Sequence, residues 1–277
     1  MKRLLIIISL ALGLPLSVQA AEPISPPKRI ISLAPNVTEI LFALGLGDNI
    51  VGVTSFCDYP EAAKTKPKIG GMTNPSLEAV VSLKPDLVVM TTDGNPKEFD
   101  ERLRSLGIRT YIVTARRLAE LPQGIRDLST ALGVRQRGDA LADNIRDALT
   151  KFGSRNAKQR TGKKVLFIVW PEPLIVAGPD TVIDDAIILL GYVNIAGAAK
   201  TAYPKYSLEE VMRQAPDIIG IGKGSGMDMH AVSKGILKRM GPVPAVRNEA
   251  ICYLDDGLYR LGPRVVQGIE ELAKCLK

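Results

Sequence analysis

The segment Ser76-Leu77-Glu78-Ala79-Val80-Val81-Ser82-Leu83-Lys84-Pro85-Asp86-Leu87-Val88 recurs as Ser207-Leu208-Glu209-Glu210-Val211-Met212-Arg213-Gln214-Ala215-Pro216-Asp217-Ile218-Ile219, with Ser, Leu, Glu, Val, Pro and Asp identical in register. A second, weaker echo joins Pro35 to Asn49 with Pro179 to Asn194, and the two echoes keep one order in both halves. A duplicated unit admits few architectures, because each copy must bury the same apolar faces. Around the repeats, short runs rich in Ile and Val alternate with helical patterns: Arg29 to Leu33, Ile50 to Thr54, Asp86 to Met90, Arg109 to Val113, Lys164 to Val169, Asp217 to Ile221 and Ala250 to Leu254. This alternation marks buried parallel strands joined by crossover helices.

Between Val113 and Lys164 no strand pattern occurs. Val134 to Arg160 reads instead as one long, charge-rich helix, with Leu141, Ile145, Ala148, Leu149 and Phe152 at helical spacing. The expected fold is α/β: two Rossmann-like lobes with mainly parallel sheets, joined by one long backbone helix. The N-terminal lobe is expected over 21–133, the linker helix over 134–161 and the C-terminal lobe over 162–277.

The first twenty residues follow a different rule. Lys2 and Arg3 precede an apolar run from Leu4 to Val18, and Val18-Gln19-Ala20 fits the small-residue requirement of signal peptidase, so export with cleavage after Ala20 is expected. The run is shorter than the roughly 20 residues that span a bilayer, and no later stretch is long and charge-free enough, so the mature chain is read as soluble and periplasmic. No Cys at the cleavage point offers a lipid anchor. Loss of Lys2 and Arg3 takes the formal charge from +7 to about +5, with basic residues scattered along helices, which argues against a nucleic-acid surface. Cys57, Cys252 and Cys275 lie far apart with one His, His230, to join them, which argues against a zinc site. An oxidising compartment allows one disulfide, Cys252 with Cys275.

Ligands of open parallel sheets sit beyond the carboxyl ends of strands. Just past the runs lie Pro35 and Asn36; Phe56, Cys57, Asp58 and Tyr59; Thr91, Thr92 and Asp93; Trp170, Pro171 and Glu172; and Asp255, Asp256, Tyr259 and Arg260. The chain has 1 Trp, 7 Tyr and 5 Phe, so several rings at these ends describe a pocket for a large, flat, partly apolar ligand; the plain alternative for each ring is to close the end of its lobe. Catalytic readings fare worse. His230 has no G-x-S-x-G elbow nearby, and Gly222-Lys223-Gly224-Ser225-Gly226 lacks the spacing of a phosphate loop. The chain is therefore read as a binding protein and not as an enzyme.

Glu78 and Glu209 each follow a Ser that can serve as N-cap, where the macrodipole favours an acidic residue whatever the function. In the second copy Glu210 takes the N3 place of a capping box with Ser207, which leaves Glu209 unexplained by capping. Matching carboxylates, one per lobe, suit Arg residues of a two-fold partner. Exposed ion pairs contribute roughly 0.2–1 kcal/mol each, enough to orient a complex but not to hold it.

Several motifs together resemble the periplasmic substrate-binding proteins that have a rigid backbone helix and serve importers of cobalamin, ferric siderophores and haem. They are Arg29-Ile30-Ile31-Ser32-Leu33-Ala34-Pro35-Asn36-Val37-Thr38-Glu39, Gly52-Val53-Thr54-Ser55-Phe56-Cys57-Asp58-Tyr59-Pro60, and the repeats ending in Lys84-Pro85-Asp86 and Ala215-Pro216-Asp217. The resemblance covers essentially the whole mature chain and implies that Glu78 and Glu209 dock onto arginines of an ABC importer's permease dimer in the inner membrane. Asp58-Tyr59-Pro60, Tyr203-Pro204 and Asp256-Gly257-Leu258-Tyr259-Arg260-Leu261-Gly262-Pro263-Arg264 are most similar to the cobalamin binders. By that resemblance Phe56, Tyr203, Asp256 and Arg260 contact a corrin ring and its side chains. Met72 and Thr91 stand where enteric cobalamin binders carry Trp, and Leu190 stands where those proteins have one cysteine of a disulfide.

The expected cargo is thus cobalamin or a related corrinoid, with Phe56, Tyr59, Met72, Thr91, Trp170, Tyr203, Asp256 and Arg260 as binding residues. No cofactor and no resident metal are expected, and the protein is read as a monomer. Haem is the nearest alternative, with Tyr59, Tyr203, Tyr259 or His230 as axial ligand. A ferric siderophore would call for several cleft cations, of which Arg260 is the clear candidate. A single His argues against the metal-ion branch of similar proteins. A periplasmic hydrolase or sensor module is the alternative of a different class.

Overall fold

The computed structural model describes residues 27–156, 161–224 and 227–276. The expected signal segment 1–20 and its cleavage point lie outside the described residues, as do 157–160 at the end of the expected linker helix. In the N-terminal half the order is β1 (Ile30–Ser32), α1 (Pro35–Ala43), β2 (Ile50–Val53), α2 (Glu61–Lys64), α3 (Leu77–Ser82), β3 (Leu87–Thr91), α4 (Lys97–Ser105), β4 (Thr110–Val113) and α5 (Leu121–Ala131). The long helix α6 (Arg135–Asn156) follows. The C-terminal half runs β5 (Lys164–Pro171), β6 (Leu174–Val176), α7 (Val182–Leu189), β7 (Val193–Asn194), α8 (Leu208–Gln214), β8 (Ile218–Gly222), α9 (Met229–Arg239), α10 (Pro244–Arg247), β9 (Ile251–Leu254) and α11 (Val265–Cys275).

The first sheet has the order β2-β1-β3-β4, all parallel. In the second, β5, β8 and β9 repeat the parallel arrangement of β1, β3 and β4, and β7 pairs with Lys164 and Val165 of β5 in the place of β2. Further along that edge β6 returns antiparallel to β5. Each of the seven apolar runs forms a strand with bounds within two residues of those expected. The short β6 and β7 have no run of their own: β7 pairs with β5 over two residues, and β6 lies between β5 and the segment around Lys205.

The repeated Pro-Asp has the same structural task in both lobes. Lys84 and Ala215 adopt left-handed conformations, with φ of 44° and 48°. Each ends a helix before a proline that cannot continue it. Asp86 then accepts the Lys28 and Arg29 backbone N–H groups at 2.8 and 3.2 Å, and Asp217 accepts that of Lys164 at 2.8 Å. In each lobe the motif therefore ties the strand after the repeat to the start of the lobe's first strand.

Successive strand residues face opposite ways, and the two faces of each sheet go to different cores. Ile31, Val88 and Met90 pack on α3 and α4 in one cluster, while Leu166, Ile168, Ile219 and Ile221 form its counterpart under α8 and α9. The opposite faces share a single cluster that runs from Ile30 and Val89 through Ala142, Ile145 and Phe152 of α6 to Val165, Phe167 and Ile269. Leu141 and Leu149 flank it. Among the described residues no helix is long and apolar enough to cross a membrane.

Gly268 of α11 lies against the backbone behind the end of β9, where an added Cβ would meet Leu258 N and Cα at 2.4 Å. Gly235 of α9 faces open space. Gly→Ala within a helix gains roughly 0.5–1 kcal/mol, whereas overpacking costs roughly 1–3 kcal/mol. Gly268→Ala is therefore expected to lower the melting temperature and Gly235→Ala to raise it slightly; equal shifts in calorimetry would refute the close packing at Leu258.

Candidate functional site

The carboxyl ends of the two sheets face each other across a cleft of about 1180 Å³, above the roughly 300–1,000 Å³ usual for small-molecule pockets. From the N-terminal lobe come Phe56 and Met72, beyond β2, Thr91 at the end of β3, and Thr114, Arg116 and Arg117 beyond β4. The C-terminal lobe contributes Asp180 and Thr181 before α7, Tyr203 before α8, and Tyr259 and Arg260 beyond β9. Phe56 is 58% exposed and Tyr203 48%, so both rings present open faces to the cleft.

Main-chain contacts fix these groups. Asn95 accepts the Thr91 N–H at 2.8 Å and donates to the carbonyls of Leu33 and Met72, both at 2.9 Å, so one side chain joins the ends of β1 and β3 to the Met72 loop. On the other side Gly178 donates to Ala202 at 2.7 Å and Val176 to Pro204 at 3.2 Å, which holds Tyr203 against the end of β6. Burial pushes the Tyr203 and Tyr259 hydroxyl pKa values up, and the Asp93 charge adds to the effect at Tyr203. Both phenols therefore stay neutral donors across the physiological range.

Phe56, Met72, Thr91, Tyr203 and Arg260 are thus brought together, while Tyr59, Trp170 and Asp256 do not line the cleft. Trp170 lies on the β5–β6 hairpin, packed on the outer core of its lobe, and its indole N–H donates to the Glu172 carbonyl at 2.7 Å. The sequence reading placed it at a strand end, but β5 turns back into β6 there. Tyr59 lies beneath the Arg264 guanidinium, 4.2 Å from its ring centroid. Asp256 lies between Arg260 and Arg264, at 2.6 and 3.0 Å. His230 stacks on Tyr253 with centroids 3.5 Å apart and does not line the cleft, and among the described residues no cluster could hold a metal ion. Arg116 and Arg117 were missed, although the strand-end rule applied after Val113 reaches both; Arg260 is consequently not the sole cleft cation.

Two reciprocal sets of ion pairs join the lobes. Arg264, beyond β9, clamps Glu39 of α1 with bonds of 3.0 and 2.6 Å, and Arg260 bonds Asp58 at 2.6 Å. In the other direction Arg117, beyond β4, donates to Asp185 of α7 at 2.9 Å and pairs with Asp180, while the Leu118 N–H donates to Asp185 at 2.9 Å. Bonding to Asp185 holds the Arg117 guanidinium above the ordinary arginine value. Each lobe thus extends its last strand's loop to the first helix of the other.

Glu78 and Glu209 occupy matching places. Both are exposed residues in the first turn of a helix, with Ser76 and Ser207 as N-caps accepting from Ala79 and Glu210 at 3.2 and 3.1 Å. Each helix runs antiparallel to the strand it precedes, so its N-terminus stands at the cleft end of its lobe. Met72 precedes Glu78 by six residues and Tyr203 precedes Glu209 by six. The expected capping box at Glu210 is only half formed, because that carboxylate bonds Arg213 and Gln214 instead of returning to Ser207. Cys252 and Cys275 form a disulfide with Cα atoms 6.0 Å apart, and Cys57 is free and buried.

Two duplicated α/β lobes on one long helix, with a ligand-sized cleft between them, define a solute-binding protein. Residues 30–258 match the periplasmic binding protein family, and the chain belongs to it. It is a substrate-binding protein for transport rather than an enzyme. A vitamin B12-binding protein of Vibrio vulnificus (strain CMCP6) is 31% identical over 271 residues, covering 96% of this chain and 94% of that one. An ABC transporter substrate-binding lipoprotein of Bacillus subtilis (strain 168) is 32% identical over 90% of this chain and 80% of its own length. Among solved structures, a periplasmic haem-binding protein from Roseiflexus sp. RS-1 superposes with a TM-score of 0.81 at 32% identity, over 90% of this chain and 97% of that one.

Glu39 is almost wholly buried, its side chain 1% exposed, so removing Arg264 leaves its charge with only the longer Arg260 contact at 3.4 Å. Arg264→Ala is expected to cost about 3 kcal/mol, the usual penalty for breaking a buried pair. Urea denaturation measures it; a loss below about 0.5 kcal/mol would show that the bridge does not join the lobes.

Proposed function

We propose that this protein carries a corrinoid, cobalamin or a close relative, through the periplasm to an ABC importer. One observation carries the reading: an open cleft of about 1180 Å³ presents two exposed rings, Phe56 and Tyr203, from opposite lobes. A flat macrocycle with amide-bearing edges matches rings on its faces and hydroxyl and guanidinium donors at its rim. Phe56, Met72 and Tyr203 supply apolar contact; Thr91, Tyr259 and Arg260 supply polar contact, with Asp256 holding Arg260 in position. The 31% identical vitamin B12-binding relative supports this cargo.

Haem is the second reading, favoured by the haem-binding neighbour. The cleft offers Tyr203 and Tyr259 as axial ligands. The reading also includes export with cleavage after Ala20, lobes bounded at 21–133 and 162–277, a monomeric carrier, and docking of Glu78 and Glu209 on arginines of a permease dimer.

Calorimetry of the mature protein against cyanocobalamin, haemin and a ferric siderophore tests the cargo. Tight binding of cyanocobalamin is expected; binding of haemin alone would exclude the corrinoid. Docking is tested separately by Glu78→Ala combined with Glu209→Ala. Ligand affinity is expected to stay within about twofold while cellular uptake is lost, and a parallel drop in affinity would remove the docking role.

A further inference from the structure

Three guanidinium groups line the cleft, and two of them are already matched by protein carboxylates. Arg117 pairs with Asp185 and Asp180, and Arg260 with Glu39, Asp58 and Asp256. Arg116 differs. It is exposed, its Nε donates to the Thr92 hydroxyl at 3.2 Å and its Nη2 to the Thr92 carbonyl at 3.5 Å. Among the described residues no carboxylate forms an ion pair with it. The nearest acidic side chain in sequence, Glu120, is engaged by main-chain donors instead, accepting the Arg116 and Arg117 N–H groups at 2.8 and 3.2 Å.

We propose that Arg116 is a specificity-determining residue that recognises an anionic group on the cargo, a phosphodiester or a carboxylate. This inference rests on the chelate-binding reading of the cleft. A guanidinium has five N–H donors in a planar fork. Thr92 takes Nε and one side of Nη2, which fixes the plane and leaves the outer N–H groups for two oxygens of an anion. A neutral ligand edge would gain little from this corner, whereas at Arg260 three carboxylates already satisfy the charge.

Calorimetry of the mature protein and of Arg116→Gln against paired ligands tests this. Cyanocobalamin carries a phosphodiester in its nucleotide loop, and dicyanocobinamide lacks it. Haemin carries carboxylates, and its dimethyl ester does not. The substitution is expected to weaken cyanocobalamin binding about tenfold, equivalent to about 1.4 kcal/mol, and to leave dicyanocobinamide unchanged, with partial recovery in Arg116→Lys. Equal losses for both corrinoids, or none for either, would overturn the proposal. If the wild-type protein binds haemin and no corrinoid, the corrinoid reading fails, and the haemin and diester pair decides the role of Arg116 by the same comparison. An unchanged melting temperature accompanies the expected result, since Arg116 is exposed.

Discussion

The apolar cluster shared by both sheets is the constraint on which the rest of the molecule depends. Ile30 and Val89 of one lobe and Val165 and Phe167 of the other are parts of one core, bridged by Ala142, Ile145 and Phe152 of α6. Wide separation of the lobes would open that core to water at roughly 25 cal/mol per Å² of apolar surface. A cleft between such lobes is a largely preformed site. Its ligand need not supply the free energy of a large closure, and its rings can stay exposed without the lobes collapsing on them.

The duplication converts this constraint into a symmetric clamp. The loop beyond β4 reaches α7 and the loop beyond β9 reaches α1, so an Arg-carboxylate set of each orientation crosses the lobe boundary. The most buried member, Glu39, is satisfied by two guanidiniums, which offsets its desolvation. Since Arg260 belongs both to this set and to the cleft wall, the electrostatics of cargo binding and of lobe attachment are coupled at one side chain. The matching Arg117 does the same at the opposite end of the cleft.

Most of the fold was legible because buried parallel strands are short apolar runs, and because the repeat fixed their order. The Ser-Leu-Glu and Pro-Asp motifs were legible as a pattern, but the work of Asp86 and Asp217 in binding the next strand's N–H groups was not, since it depends on main-chain pairing across the lobe. The strand-end reading of aromatics took in Phe56 and Tyr259, which line the cleft, and Trp170 and Tyr59, which do not, while Tyr203 entered through the resemblance. Strand-end proximity cannot tell whether the chain continues over the cleft or folds back, and β6 is the element that decides this for Trp170. Of the three cleft arginines only Arg260 was found. Arg116 and Arg117 follow β4 as Tyr259 and Arg260 follow β9, a correspondence that the same strand-end rule reaches once it is applied after Val113.

That correspondence extends to the way the cleft walls are held. The Met72 loop is anchored through Asn95 and by the packing of Met72 on the shared core, and the Tyr203 loop through Gly178 and Val176. Individually such bonds contribute only about 1 kcal/mol net. Each loop leads directly into the helix that begins at Glu78 or Glu209. Contacts made at the two helix starts would therefore lie next to the Met72 and Tyr203 walls of the cleft, with the core around α6 behind them.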